Sequence, residues 1–418
     1  MLYFKLLRAF APLAWLLATQ VGLYLVLREL FAPRPDQARR RRNLIAAQLG
    51  IGLWLPVFLI LGKAGFLLPA ALRWFAQPVL AYHMLCLPAV LLLGVTVSVA
   101  RRLHKRRLRA PAVDARSIAS IDSKPIQSEP GPILNEEPLS EARRVFLSRA
   151  AIGLFGIAGV ATAEGIHEAE APPEVSRHDV FLKGLHPDLE GVTILQLSDV
   201  HAGMLMTEAR MAAIAKSAAL LQPDLVVFTG DLLDMSLHAG PPFSRAFSAL
   251  HGKLGTFGIL GNHDYYAGAG AAIRAVQDAG GVLLRNSGRR IERGKGTLWI
   301  GGVDDVMAVE ASGSVDPIKA LRGAAPEEHR VMLAHRPQLF DKCAAAGSSL
   351  VLSGHTHGGQ LALSPAWSAA RVLGPYTMGF YKLGDSQLFV HRGLGVVAAA
   401  PLRLGSRPEL ALLTLRRS

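Results

Sequence analysis

Asp199-Val200-His201, Gly230-Asp231, Gly261-Asn262-His263-Asp264, His335 and Gly354-His355-Thr356-His357 each stand directly behind a short apolar run. Alone, any one of these side chains would read as an ordinary core or surface residue. Five clusters in order, each offering Asp, Asn or His, instead describe a converging set of oxygen and nitrogen donors. That mixture suits divalent ions such as Zn²⁺, Mn²⁺ or Fe²⁺. The donors outnumber the roughly four ligands of a structural zinc. Two ions about 3.5–4 Å apart, sharing one carboxylate, accommodate them. Such a pair acidifies water and neutralises charge building on phosphoryl oxygens. The glycines at 230, 261 and 354 are expected to let the backbone turn sharply, so that the donors point into one space.

The runs that carry these clusters alternate with helical stretches from Asp179 onward. Strands are expected at Thr193–Leu197, Leu225–Phe228, Thr256–Leu260, Leu298–Ile300, Val331–Leu333, Leu350–Leu352, Leu388–Val390 and Leu410–Leu415. Helices are expected over Thr207–Leu221 and Gly270–Ala279. This alternation predicts an α/β domain whose strands are mostly buried. In open α/β sheets the chemistry collects just beyond the carboxyl ends of strands, which is where the five clusters lie.

The ordered set resembles the calcineurin-like metallophosphoesterase family over roughly Val192 to Gly359, with no ligand position missing. The resemblance implies a four-layer α/β/β/α sandwich with its ligands on loops at one edge of two facing sheets. It implies that Asp199, His201 and His357 hold one metal, that Asn262, His335 and His355 hold a second, and that Asp231 bridges the two. His263 is implied as a non-ligand imidazole beside the leaving-group oxygen, where a near-neutral pKa lets it donate a proton. Its neighbour Asp264 is expected to hold that imidazole's tautomer. The stretches Leu195–His201, His335-Arg336-Pro337, His355–Gln360 and Arg392-Gly393-Leu394-Gly395 resemble a membrane-linked branch. That branch contains transmembrane proteins with a metallophosphoesterase domain and the YkuE-like and YaeI-like phosphodiesterases. Gly358-Gly359-Gln360 is then expected to close over the metal rim and Arg392 to meet a substrate phosphate, with plain turn chemistry as the alternative for both. Gly301-Gly302-Val303-Asp304-Asp305 reads as a hydrogen-bonding rim of the site.

Of the 418 residues, 50 % are hydrophobic and 18 % charged, against about a quarter charged in ordinary soluble domains. Residues 1–110 hold 16 Lys/Arg and 2 Asp/Glu, a balance of +14, while the remainder carries −1. A nucleic-acid binder needs a basic folded surface with stacking aromatics, so no nucleic-acid partner is expected. Apolar stretches at about Leu6–Leu27, Leu44–Leu61 and Val79–Ala100 are long enough to span a bilayer. They predict an α-helical transmembrane region of three helices within residues 1–109, its Arg-rich loops cytoplasmic by the positive-inside rule. Residues 110–143 carry five prolines and six acids, so 110–144 reads as a flexible linker. Segment 145–163 reads as a fourth membrane helix. Alternatively, Arg143-Arg144 ahead of it and Ala161-Thr162-Ala163 within it give it the look of a twin-arginine export segment. Either places the domain at 175–418 outside the cytoplasm, on a multi-pass protein of a bacterial inner membrane. Cys86 and Cys343 are the only cysteines, too few for a disulfide framework or a Cys-based zinc site.

Taken together, these features predict a membrane-anchored phosphohydrolase with two divalent ions (Mn, Zn or Fe), cleaving a phosphoester or pyrophosphate. The lipid bilayer is the expected partner and a phosphorylated lipid or small phosphodiester the expected substrate. The loop Gly374–Tyr381 is read either as an aromatic and Met surface for acyl chains or as a packed hairpin. Three alternatives stand beside this reading: a UDP-2,3-diacylglucosamine pyrophosphatase-like hydrolase, a nucleotide phosphodiesterase, and a catalytically silent membrane sensor or scaffold. The first belongs on the cytoplasmic face, against the topology above. The complete donor set argues against the last.

Overall fold

Strand residues here alternate between two buried faces, and that alternation builds the domain. In the computed structural model, which describes residues 141–418 apart from 311–314, 363, 365 and 398–399, together with Ala81 and Leu85, twelve strands form two six-stranded mixed sheets. The first comprises β1 (Glu174–Leu182), β2 (Thr193–Leu197), β3 (Leu225–Thr229), β4 (Gly255–Ile259), β5 (Val282–Leu283) and β12 (Glu409–Arg417), in the order β1-β12-β2-β3-β4-β5. The second comprises β6 (Ser287–Arg293), β7 (Gly296–Gly302), β8 (His329–Leu333), β9 (Leu350–Ser353), β10 (Gly379–Leu383) and β11 (Ser386–Val390), in the order β10-β11-β9-β8-β7-β6.

Ile194, Leu225, Val227 and Ile259 of the first sheet meet Ile300, Val331, Leu333 and Leu352 of the second in one apolar core. On the other face of the first sheet, Leu195, Leu197, Val226 and Phe228 pack under helices α2 (Glu208–Ala219), α3 (Gly240–Phe247), α4 (Asn262–Ala267) and α5 (Ala269–Asp278). The outer face of the second sheet, with Met332, Val351 and Leu388, is covered by α6 (Pro317–Ala320) and α7 (Phe340–Ala345). Helix α2 shows why these segments fold as they do. Thr207 caps its start by accepting from Arg210 N, and Met211, Ile214, Ala215 and Ala218 form one apolar stripe. The α/β sandwich expected from the sequence is thus present. Each predicted strand is found within a few residues of its expected bounds.

The strands absent from the sequence reading, β1, β5, β6 and β10, are the short or polar ones at sheet edges. Strand β6, Ser-Gly-Arg-Arg-Ile-Glu-Arg, buries only Ile291, so it offers no apolar run to read. The loop Gly374–Tyr381 turns out to enter a hairpin. Strand β10 pairs antiparallel with β11, Phe380 packs at a tilt against Phe389 with ring centroids 4.8 Å apart, and Tyr376 sets its ring edge-on to Phe340 at 5.6 Å.

The three apolar stretches predicted within residues 1–109 and the linker up to residue 140 lie outside the described residues, Ala81 and Leu85 apart. The segment expected over 145–163 is a helix, α1, that runs from Glu141 to Glu170. Among the described residues no helix is long and apolar enough to cross a membrane. The chain from Val160 onward belongs to the same compact unit as the sheets. Thr162, Gly165 and Ala169 are buried along one stripe, Gly165 O accepts Arg403 N at 2.8 Å, and Glu168 accepts Gly405 N at 2.7 Å. Thr162 therefore sits inside a packed helix and not at an exposed cleavage site.

Candidate metal centre

Parallel pairing sets the strand ends level. Leu197 is in register with Phe228, and Leu333 with Leu352. Asp199 and Asp231 consequently emerge side by side from the first sheet, and His335 and His355 from the second. The two sheet edges are then stitched together. The backbone N–H of His355 donates to both carboxylate oxygens of Asp199, at 2.9 and 3.1 Å.

Five site residues hold the left-handed backbone region: Asp199 (φ 50°), His201 (50°), Asp231 (51°), His355 (70°) and His357 (52°). Non-glycine residues rarely adopt it, and strain of this kind persists only where the surroundings impose it. The sharp turns therefore fall on the donor residues themselves. Among the three glycines expected to supply them, only Gly230 has positive φ. Gly354 is needed for close approach instead: a Cβ there would lie 1.9 Å from Ser198 Oγ and 2.3 Å from Asp199 Oδ2.

Donor atoms of Asp199, His201 and His357 lie within 4.8 Å of one another, and so do those of Asp231, His335 and His355. The carboxylate of Asp231 stands between the groups, with Oδ2 at 3.3 Å from His335 Nε2 and 3.7 Å from His201 Nε2. Its Oδ1 accepts His263 N at 2.8 Å. Donor atoms of His201, Asp231 and His263 also lie within 4.8 Å of one another. Imidazoles face nitrogen to nitrogen at both ends, His201 Nε2 to His357 Nε2 at 3.0 Å and His335 Nε2 to His355 Nδ1 at 3.2 Å. His335 Nδ1 donates to Thr229 O at 2.8 Å, which turns its Nε2 toward the cluster.

The residues present fit a pair of divalent cations. Asn262 Oδ1 is buried without a hydrogen-bond partner, a state that costs about 1–3 kcal/mol unless something accepts its lone pairs. Burial, together with the charge of His335 and Arg336, holds His355 well below the usual imidazole range. Burial, with His201 and Arg403, does the same to His357. Neutral imidazoles are what a metal requires. His335 is the opposite case. Burial works against its charge, but Asp231 pushes it up to about 10, so a proton and a cation compete for the same Nε2 lone pair.

Asp264 does not do what its position beside His263 suggested. It is fully buried, accepting Leu233 N at 2.9 Å and Gly261 N at 2.8 Å, so it braces one ligand turn against the next. Burial and the Asp231 charge push it up to about 7 against those backbone bonds. The carboxylate on His263 is Asp234. His263 Nδ1 lies 3.1 Å from Asp234 Oδ1 and 3.0 Å from Asp234 O. Two acceptors at one nitrogen put the proton on Nδ1 and leave Nε2 for chemistry. Burial opposes the imidazolium, yet Asp234 and Asp231 raise His263 to about 9. The available signal was the spacing Gly230-Asp231-Leu232-Leu233-Asp234.

Arg392 is not turned to the cluster either. Its guanidinium pairs with Glu174 at 3.0 Å and with buried Glu409 at 3.2 Å. Gln360 spends its amide on the carbonyls of Ala400 and Leu402. Two arginines without an assigned role stand next to ligand candidates. Arg403, wholly buried, lies 3.3 Å from His357 Nδ1, and Arg336 lies 3.0 Å from His355 Nε2.

The model of the calcineurin-like phosphoesterase family matches residues 192–359, the span that carries every donor named above. The Bos taurus transmembrane protein with metallophosphoesterase domain is 31 % identical over 291 residues, covering 66 % of this chain and 64 % of that protein. Its Danio rerio namesake is 29 % identical over 272 residues, 63 % of this chain and 62 % of that protein. The chain thus spans less than two thirds of the length of these two relatives. The uncharacterized metallophosphoesterase YkuE of Bacillus subtilis (strain 168) is 31 % identical over 296 residues, 66 % of this chain and 98 % of that protein. With near-complete coverage of a relative at that identity, and the donor geometry already assembled, the chain belongs to the calcineurin-like phosphoesterases, a family of metal-dependent phosphoester hydrolases.

Proposed function

We propose that this protein is a membrane-associated phosphohydrolase that uses two divalent ions to cleave a phosphoester or pyrophosphate of a lipid or lipid-linked substrate. The observation that carries the catalytic part is the meeting of Asp199, His201 and His357, and of His335 and His355 with Asp231, together with the buried, unpartnered oxygen of Asn262. In this reading Asp199, His201 and His357 hold one ion, Asn262, His335 and His355 hold the other, and Asp231 is shared. Bound there, divalent cations supply Lewis-acid neutralisation of phosphoryl charge and acidify water. The chain's own contribution is orientation and a proton. His263, fixed through Nδ1 by Asp234, presents Nε2–H to the departing oxygen. Asp264 keeps the ligand turns in place.

The lipid part rests on three supports. Apolar stretches alternate with basic segments within residues 1–110, whose balance is +14. Two relatives are named as transmembrane proteins. Phe146, Ile157 and Val160 of α1 are each about 70 % exposed (70, 69 and 72 %), an apolar surface that water alone does not favour. By the positive-inside rule the Arg-rich loops are cytoplasmic, so an extracytoplasmic domain requires a further crossing between residue 110 and the sheets.

Full-length protein in detergent, loaded with Mn²⁺ or Zn²⁺, is incubated with an aryl phosphodiester, an aryl phosphomonoester and a total membrane lipid extract. Turnover of an aryl ester, with depletion of lipid species by mass spectrometry, is the expected result. Two bound ions with no turnover of any substrate would overturn the enzymatic reading. Rapid cleavage of soluble esters with an unchanged lipid profile would overturn the lipid reading alone. A reporter fused after Ser418 tests the topology, and a cytoplasmic signal would reverse it.

A further inference from the structure

The loop after β7 ends in two consecutive acids, Asp304 and Asp305, and each holds an arginine. Asp304 accepts Arg285 Nε at 2.8 Å and the hydroxyl of Tyr265. Asp305, whose side chain is fully buried, accepts Arg336 Nε at 2.8 Å and faces Arg336 Nη2 at 3.4 Å. Arg336 directly follows the ligand candidate His335, and its Nη1 reaches His355 Nε2 at 3.0 Å. One face of a guanidinium is thus clamped by a buried carboxylate, while the other borders the donor cluster. The side chain keeps 20 % exposure.

That arrangement is not explained as support for His355. When Nδ1 of His355, the nitrogen facing His335, serves as a ligand, the neutral ring carries its proton on Nε2. Arg336 Nη1 then faces a donor and needs another acceptor. Arg403 beside His357 shows how a purely structural arginine looks in the same molecule. It is fully buried and donates to the carbonyls of Arg392, Gly395 and Ser406. Arg336 donates to no backbone carbonyl among the described contacts, and it retains solvent access at the cluster's edge.

We infer that Arg336 binds a non-bridging oxygen of the substrate's phosphoryl group, with Asp305 as the buried counter-charge that aims it. The inference rests on the phosphohydrolase reading above and adds to it a recognition group that is not a metal ligand. A planar guanidinium suits phosphate oxygens better than an ammonium does.

Full-length protein, Arg336→Ala and Arg336→Lys are loaded with Mn²⁺, and binding of inorganic phosphate is measured by titration calorimetry, alongside metal stoichiometry and thermal midpoint. Calorimetry needs no turnover, so a failure of the catalytic proposal is seen separately from a failure here. Arg336→Ala should weaken phosphate binding about tenfold or more, with two ions still bound and the midpoint within a few degrees. Arg336→Lys should recover part of the loss. Asp305→Asn should weaken phosphate binding less than Arg336→Ala does. The assignment is overturned if Arg336→Ala binds phosphate as tightly as the parent. It is equally overturned if the loss follows only from a missing ion, because Arg336 would then serve His355 alone. Should Arg336→Ala fail to fold, Arg336→Lys decides: unchanged phosphate affinity in that variant excludes a guanidinium-specific contact.

Discussion

The two ends of the donor cluster are built alike and bounded differently. At one end His201 and His357 meet at 3.0 Å, and behind them Arg403 is sealed from solvent. At the other, His335 and His355 meet at 3.2 Å, and beside them Arg336 is clamped to Asp305 but partly open. The same residue type next to a candidate ligand imidazole is therefore held in two different ways. Arg403 ties the His357 turn to the 392–395 and 403–406 segments through their carbonyls. Arg336 is held by a carboxylate and left with an edge for an anion. Burial and the nature of the partner, carbonyl or carboxylate, distinguish the two arginines.

The comparison breaks most completely at the group both ends share. Asp231→Ala is expected to abolish phosphoesterase activity and to reduce bound metal below two ions per chain, read by elemental analysis. Retention of two ions would mean that Asp231 is no bridge. Next in size is His263, the proposed proton donor, which should separate chemistry from metal binding. His263→Ala should lower kcat by roughly 10²–10⁴ while two ions stay bound. Asp234→Asn should cost less, about 10–100-fold. Asp264→Asn should instead lower the thermal midpoint, with kcat of the folded enzyme nearly unchanged. Equal kcat losses in the two aspartate variants would return Asp264 to the role its sequence position suggested.

A smaller effect sharpens the contrast between the arginines. Arg403→Met strands several buried carbonyls and should destabilise the domain by on the order of 3 kcal/mol, a fall in midpoint of roughly 5–10 °C. Arg336→Met should shift the midpoint by no more than a few degrees. Similar shifts would erase the distinction between sealed and open ends.

The smallest effect concerns acid stability near the sealed end. Burial disfavours the Glu409 carboxylate, but His391 and Arg392 overcome this and lower it from 4.5 to about 2. Burial lowers His391 from 6.5 to about 4. Both folded-state values lie below the unfolded ones, so the unfolded chain binds more protons and stability is lost as the pH falls. The His391 contribution is complete above pH 6.5 and lost toward pH 4. That of Glu409 is complete above pH 4.5 and lost toward pH 2. Glu409→Gln should remove the lower window and leave the upper, as read from urea midpoints across this range. An unchanged acid limb would show that Glu409 is not what protons attack.

Much of the fold was legible because the central strands are buried on both faces. Leu225–Phe228 and Leu350–Leu352 are apolar whichever way each residue points, so they announce themselves without a partner. Edge strands such as β6 did not, since one face meets water and their register comes only from the neighbouring strand. The site was legible as a set of donors but not as a set of contacts. Residue type and order placed Asp199, His201, Asp231, Asn262, His335, His355 and His357 behind strand ends, and the level register of parallel strands brought the ends together.

What the sequence alone determined is the identity and order of the donors, the α/β alternation that lines them up, and the concentration of positive charge among the apolar stretches ahead of residue 110. The tertiary structure decided which carboxylate serves His263. Asp264 lies beside it in the chain but is turned into the backbone of two ligand turns, whereas Asp234, a strand away, meets its Nδ1. It also decided that Arg392 is held by Glu174 and Glu409 while Arg336 borders the cluster. Chain neighbours on a tight turn point in different directions, and hydrogen bonds reach only about 3 Å. Which charged groups meet is therefore settled by how the two sheets pack, a property no local stretch of sequence contains.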